Sequence, residues 1–197
     1  MGIDFGFTNF LNLYTEIDNN QFKIIQQPTW FKNSQKKLKK LHRNLSRKKA
    51  KSKNREKARK SLAIAYEKMN NQKEDYQWKL ANYLVKNFDI IKVEDLNLAK
   101  IKIIYGRKIS ELSYYSFLLK VEYLSNKYKK KFIKIDKYYP SSQICSNCGT
   151  INPQMKNPMI KTLNCIGCNI KINRDKNASI NIFLWEATDV LSTSKTS

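Results

Sequence analysis

The sequence predicts a mixed α/β protein: a sheet flanked by helices, with a helical hairpin as an excursion and a small metal-held ribbon inserted near the end. Three observations predict this. Strand-like and helix-like patterns alternate along 197 residues, a length that buries one sizeable core and leaves a second small unit in need of a staple. Fifteen Lys or Arg crowd between Lys32 and Lys60 against one acid, Glu56. The four cysteines of the chain form two C-x2-C pairs, Cys145/Cys148 and Cys165/Cys168.

The first 27 residues read as a meander of three strands, Gly2–Thr8, Phe10–Glu16 and Phe22–Gln27, with Asp18, Asn19 and Asn20 turning the chain between the second and third. In the basic segment Leu38, Leu41 and Leu45 recur at helical spacing, which predicts a basic helix with one narrow buried stripe. From Lys57 to Asn87 the positions Leu62, Tyr66, Met69, Tyr76, Leu80 and Tyr83 step by threes and fours, predicting a long helix whose aromatic stripe is core; the two helices form a hairpin over about 32–87. Asp89–Glu94 is a β-branched strand ending in acids. A helix over Glu111–Tyr128, a strand at Phe132–Asp136, a short strand at Ile170–Asn173 and a helix over Lys176–Val190 follow, then a frayed tail, Leu191–Ser197. The expected organisation is a core over 1–139, a ribbon over 140–172, a closing core segment over 173–190 and the tail over 191–197.

Charge narrows the partner. Thirty-eight basic residues against 16 acids give +22, far beyond what solubility requires, and neutralisation by phosphates with release of their counterions accounts for such an excess. The basic segment supplies about two-thirds of it, through Lys36, Lys37, Lys40, Arg43, Arg47, Lys48, Lys49, Lys51, Lys53 and Arg55 among others. Interleaved Ser and Asn also bond phosphate oxygens, so the segment is expected to contact nucleic acid. No apolar run approaches the roughly 20 residues that span a bilayer, and no secretory leader opens the chain, so a cytoplasmic, nucleoid-associated protein without a membrane partner is expected. Acidic proteins and membrane surfaces are competing polyanions, and neither accounts for the cysteines or for the acids below.

Sixteen residues separate the cysteine pairs, the spacing of a zinc site, in which two thiolates from each of two turns close a tetrahedron around one structural Zn²⁺. Two disulfides are the alternative, and a reducing compartment disfavours them.

The order of elements suits the RNase H-like architecture. There the first strand lies centrally beside the fourth, and acids on both approach one at the start of the last helix. Asp4, Glu94 and Asp175 hold those positions, with Asp95 an alternative to Glu94 because strand alternation turns only one of the two inward. Three carboxylates can hold two hard cations such as Mg²⁺ or Mn²⁺ about 4 Å apart, a spacing that stabilises both the attacking and the leaving oxygen of a phosphodiester displacement.

Gly2-Ile3-Asp4-Phe5-Gly6, Val93-Glu94-Asp95-Leu96-Asn97, Tyr139-Pro140-Ser141-Ser142 before Cys145-x-x-Cys148-Gly149, and Arg174-Asp175-x-Asn177-Ala178 with Asn181-Ile182 resemble the OrfB/TnpB proteins of insertion sequences, relatives of the type V CRISPR effector nucleases. Ser46-Arg47-Lys48-Lys49 and Ser52-Lys53-Asn54-Arg55 extend the likeness, so that it runs in order over nearly the whole chain. The resemblance implies a RuvC-like DNA endonuclease of transposition and recombination with Asp4, Glu94 and Asp175 as its acids, which selects Glu94 over Asp95. It also implies a structural zinc ribbon that helps hold the substrate strand and, in full-length relatives, a transposon-derived guide RNA. Two departures stand out: the family's long amino-terminal region has no counterpart before Asp4, and Lys161 stands where the family usually places Arg. A shortened copy is therefore expected. The competing functions are an inactive zinc-ribbon remnant that binds or regulates nucleic acid, and a basic ribosome-associated protein, which leaves the ordered acids without a reason.

Overall fold

The computed structural model describes residues 1–6, 9–16, 21–95 and 113–186. They divide into two compact units, one built from Met1–Gln26 and the chain from Leu84 onward, the other from Gln27–Tyr83. The turn expected at Asp18–Asn20, the end of the first expected strand and the tail lie outside the described residues.

The first unit is organised by a five-stranded sheet, β1 (Gly2–Asp4), β2 (Leu11–Thr15), β3 (Gln21–Ile25), β4 (Ile90–Glu94) and β5 (Lys131–Ile135), in the order β3-β2-β1-β4-β5. β1 runs antiparallel to β2 and parallel to β4, so the first strand is central and lies beside the fourth, as expected. Alternation gives each strand two faces. Ile3, Leu11, Ile91 and Val93 are fully buried, each contributing about 1.5–3 kcal/mol by leaving water. On the side of Phe5 and Phe10 the core is closed by the helix Tyr114–Lys127, named α3 below, through ring contacts of Tyr114 and Phe117 at 4.9–5.6 Å.

The opposite face carries Gly2, Asp4, Lys92 and Glu94 and is covered by α4 (Arg174–Leu184). Gly2 permits the contact: a Cβ there would lie 2.4 Å from the Ser179 carbonyl oxygen and 2.6 Å from the Phe183 nitrogen, both backbone atoms that cannot swing aside. Lys92 fixes the other end of the helix, its ammonium donating to the carbonyls of Phe183 at 2.8 Å and Trp185 at 2.6 Å, where the helix dipole favours a cation. Ile135, Ile182 and Trp185 pack as a buried cluster beside it.

Between β5 and α4 the chain builds the ribbon: a 3-10 turn at Pro153–Lys156 and the hairpin of β6 (Thr162–Asn164) with β7 (Lys171–Asn173). Its own small core is Met155 and Leu163 with Cys145 and Cys165.

The second unit is the expected hairpin of α1 (Thr29–Ser46) and α2 (Lys53–Asn87), the latter running on into the first unit. Contacts between Trp30 and Tyr76, and between His42 Nε2 and Tyr66 Oη at 2.7 Å, show the helices antiparallel. Phe31 and Leu38 are buried with Leu41 and Leu45 half-buried, which is the narrow stripe expected of α1. The stripe expected of α2 holds at Leu62, Met69, Tyr76 and Leu80 and departs from expectation at Tyr66 and Tyr83. Its buried face runs through Ala58, Leu62, the half-buried Ala65 and Met69, and then Gln77, Ala81 and Leu84, which leaves Tyr66 and Tyr83 38% and 48% exposed. Small residues at 58 and 65 let the helices approach, and Tyr66 sits one position to the side.

Element ends also shift. β1 stops at Asp4, where the expected strand continued; α2 starts at Lys53 rather than Lys57; and α4 begins at Arg174, two residues early, because the Asn173 side chain caps it by accepting from the Asp175 and Lys176 N–H groups. Among the described residues no helix is long and apolar enough to cross a membrane.

Candidate active site and metal ribbon

The β1–β4 register sets Gly2 opposite Lys92 and Ile3 opposite Val93, so Asp4 follows opposite Glu94 on the face that α4 covers. Along α4, Asp175, Ser179 and Phe183 recur every fourth residue and form one stripe. Ser179 and Phe183 lie against Gly2. One turn toward the helix start lies Asp175, whose charge acts on Asp4. All three acids are half-buried. Asp95 falls after the end of β4 and is exposed.

The charges of the other two acids are felt at Asp4. Burial first, then the charges of Glu94 and Asp175, push the Asp4 carboxyl well above the usual range, while a hydrogen bond from Asn12 Nδ2, at 3.3 Å, and the Arg174 charge pull it down. Burial raises Glu94 to about 7, against the opposing pull of Arg174. The folded chain therefore retains protons that the unfolded chain has released between about pH 4.5 and 7. Stability without divalent cations falls as pH rises through this window, by up to about 3 kcal/mol from Glu94. Thermal melts in Mg²⁺-free buffer should show Glu94→Gln more stable than wild type at pH 7.5 and equal to it near pH 5. A glutamine variant less stable at pH 7.5 would mean that Glu94 is a favourably paired carboxylate.

Three neighbours of the acids had no role assigned to them from the sequence, although Arg174 belongs to the motif around Asp175. Asn12, fully buried on β2 opposite Asp4, orients that carboxylate and accepts from Asn9 Nδ2 at 3.1 Å. A polar residue amid Leu11, Leu13 and Tyr14 was the available signal. Tyr114 donates its buried hydroxyl to the Gly6 carbonyl at 2.6 Å, and its titration is shifted upward by burial and then by Asp4. Arg174 joins the acids to the ribbon, its guanidinium donating to the Asn157 carbonyl at 2.7 Å and to Ser142 Oγ at 3.3 Å.

The ribbon is built from two matching knuckles. Cys145-x-x-Cys148 is followed by Gly149 at φ 75° and Cys165-x-x-Cys168 by Asn169 at φ 59°, the left-handed geometry in which Gly and Asn are most at ease. Each knuckle closes alike: Gly149 N–H donates to Cys145 O and Asn169 N–H to Cys165 O. The four sulfur atoms lie within 4.8 Å of one another, an arrangement able to hold a metal ion. At 3.5 and 3.7 Å the nearest sulfur pairs are far beyond the roughly 2.0 Å of a disulfide. At Cys165 burial is outweighed by N–H donation from Cys168 and Gly167 and by the neighbouring thiols, which bring the thiol to about 6, favouring the thiolate there, whereas burial pushes the Cys145 thiol up to about 12. Buried Asn177 and Asn181 then tie the first knuckle to α4. Both donate to the Ile144 carbonyl at 2.7 Å, and Asn177 accepts from the Ser146 N–H at 2.9 Å.

The basic candidates lie in the second unit. Lys36, Lys37, Lys40, Arg43, Arg47, Lys49, Lys51 and Lys53 are exposed and Lys48 is half-buried. Arg55 is partly committed to structure, donating to the carbonyls of Leu45 and Lys48 at 3.3 Å and so closing the end of α1.

A central first strand beside the fourth, with the closing helix crossing its acid-bearing face and a cysteine ribbon inserted before that helix, defines the RuvC-like form of the RNase H-like fold. A solved structure titled as a Cas12f1-sgRNA-target DNA complex shares it, with a TM-score of 0.59 at 22% identity over 92% of this chain and 48% of that one. The chain belongs to the OrfB_IS605 family, described as probable transposase, whose model matches residues 1–104; residues 114–182 match the Cas12f1-like TNB domain. Among curated relatives, a Streptomyces pristinaespiralis protein named "Putative RNA-guided DNA endonuclease" is 31% identical over 92% of this chain and 44% of its own. "TnpB-like protein L79" of Acanthamoeba polyphaga mimivirus is 29% identical over 92% of this chain and 36% of its own. The chain thus spans less than half the length of these relatives.

Proposed function

We propose that this chain carries the nuclease centre of a transposon-associated DNA endonuclease, with Asp4, Glu94 and Asp175 holding Mg²⁺ or Mn²⁺, and that in full-length form it works with a guide RNA. What supports the reading is that Asp4 ends β1, Glu94 ends the neighbouring β4 and Asp175 opens the helix over that face, with burial and then the charges of Glu94 and Asp175 raising the Asp4 carboxyl. Their oxygens suit hard divalent cations. Such ions would supply charge stabilisation to both oxygens of the displaced phosphodiester.

The chain's own residues have definite tasks around them. Asn12 donates to one oxygen of Asp4 and so helps to orient that carboxylate. Arg174 adds positive charge beside Asp4 and Glu94 and, through Asn157 and Ser142, keys the ribbon to this face. The ribbon holds zinc as structure and helps seat the substrate strand. The exposed cations of the second unit bind phosphates without reading sequence, being rich in point charges and poor in groups suited to base edges.

That last assignment predicts a salt dependence. If about six basic residues each neutralise a phosphate, log affinity against log salt should have a slope near −5 on duplex DNA and near −4 on single strands. Reversing Lys48, Lys49 and Lys51 to Glu should flatten the duplex slope by roughly 3 without creating preference between sequences. Salt titrations on two unrelated duplexes check this. An unchanged slope would return these lysines to the role of a solvated face.

A further inference from the structure

Within the second unit, α1 and α2 do not close completely along their length. Trp30, Asn33, Ser34 and Lys37 of α1 face Ala65, Lys68 and Gln72 of α2 across an open cavity of about 240 Å³. The α1 positions follow the i, i+3, i+4, i+7 pattern of one helix face, and the α2 positions follow i, i+3, i+7, so both helices present these side chains continuously. The hollow exists because Ser34 and Ala65 are small where larger side chains would have filled it. Its lining is mainly apolar surface, from the Trp30 indole, Ala65 and the stems of Lys37 and Lys68, edged by two ammonium groups, two amides and a hydroxyl. A dry void would be lined by aliphatic side chains.

We propose that this groove is a binding site for a single unstacked nucleotide of a single-stranded nucleic acid, its base on the Trp30 indole, its phosphate between Lys37 and Lys68, and its base edge or sugar within reach of Asn33 and Gln72. The volume lies below the roughly 300–1,000 Å³ of drug-sized ligand pockets, which suits one nucleotide and excludes a duplex. The indole is available in the required way. Its ring contacts among the described residues, Phe31 at 77° and Tyr76 at 74°, are both edge-to-face, so no ring is stacked parallel upon it. Trp30 is half-buried, enough to hold its orientation, and Lys37 and Lys68 are exposed. An aromatic platform bordered by cations is the arrangement by which single strands are held without sequence preference. RNA and DNA share this chemistry. The site is separate from the acids, so it stands or falls independently of the nuclease reading.

The test uses the full zinc-loaded chain and fluorescent 20-nucleotide single-stranded DNA, single-stranded RNA and duplex DNA of unrelated sequence. Trp30→Ala should weaken single-strand binding on the order of ten- to hundredfold, since stacking of one base is lost, while Trp30→Phe keeps most of it and duplex affinity changes less than about twofold. Ala65→Met retains every ligand-facing group but fills the hollow, and should reproduce the loss. Lys37→Ala with Lys68→Ala should flatten the single-strand salt slope by about 1.4. The RNA and DNA arms tell which strand is preferred. Circular dichroism confirms that the variants are folded, and Ala65→Met carries the test if Trp30→Ala is not. Undiminished single-strand binding by a folded Ala65→Met chain would overturn the proposal, as would equal losses on single strands and duplex.

Discussion

Asp4→Ala, Glu94→Ala and Asp175→Ala should each lower Mg²⁺-dependent cleavage of single-stranded DNA on the order of a thousandfold or more, the scale of losing preorganised charge stabilisation at the reacting phosphate. Asp95→Ala should cost little, because that carboxyl is exposed beyond the end of its strand. Binding should be retained or slightly tightened in all four variants, since each removes a negative charge and leaves the basic helices untouched. The effects of the three acids should not add: a site that needs all of them is lost with the first. A nuclease assay paired with a binding titration separates the two properties. Undiminished cutting by the Asp4 variant would remove the assignment of the acids.

The second large effect concerns the ribbon. One Zn²⁺ should copurify with each chain, and Cys165→Ser should unfold the segment between about Pro140 and Ile172, whose buried core is little more than Met155 and Leu163 around the cysteines. Structural zinc sites of this kind contribute about 10–16 kcal/mol of apparent binding free energy at neutral pH, more than so small a core can replace. The damage should spread to α4, because Asn177 and Asn181 bond the first knuckle and Arg174 bonds the loop at Asn157. Asp175 sits in the same helical turn as Arg174. Cleavage should therefore fall with the zinc although no acid is altered. Elemental analysis and limited proteolysis check this; substoichiometric metal with intact disulfides would reverse the zinc assignment.

Much of this architecture was legible where local pattern and long-range packing agree. The β-branched run before Glu94, the paired cysteines and the periodic leucines of α1 each encode their own element, and the order of elements was enough to expect β1 beside β4. The ends of elements were less legible because neighbours decide them: β1 has partners on both sides only as far as its short pairing runs, and α4 starts where Asn173 caps it. Tyr66 and Tyr83 misled because a helical period identifies a face only to within one residue, and their neighbours Ala65 and Leu84 take the inward positions. Asn12, Tyr114 and Lys92 were not legible as a set. Their meaning depends on residues 8 to more than 100 positions away that share no pattern with them.

Metal binding by the three acids can be measured apart from any need for guide, target or further protein. Mn²⁺ binding to the zinc-loaded chain, followed by electron paramagnetic resonance, should reveal up to two sites per chain, abolished or weakened more than about tenfold by Asp4→Asn and by Glu94→Gln and unaffected by Asp95→Asn. Mn²⁺ binding that is equal in wild type, Asp4→Asn and Glu94→Gln would contradict the account.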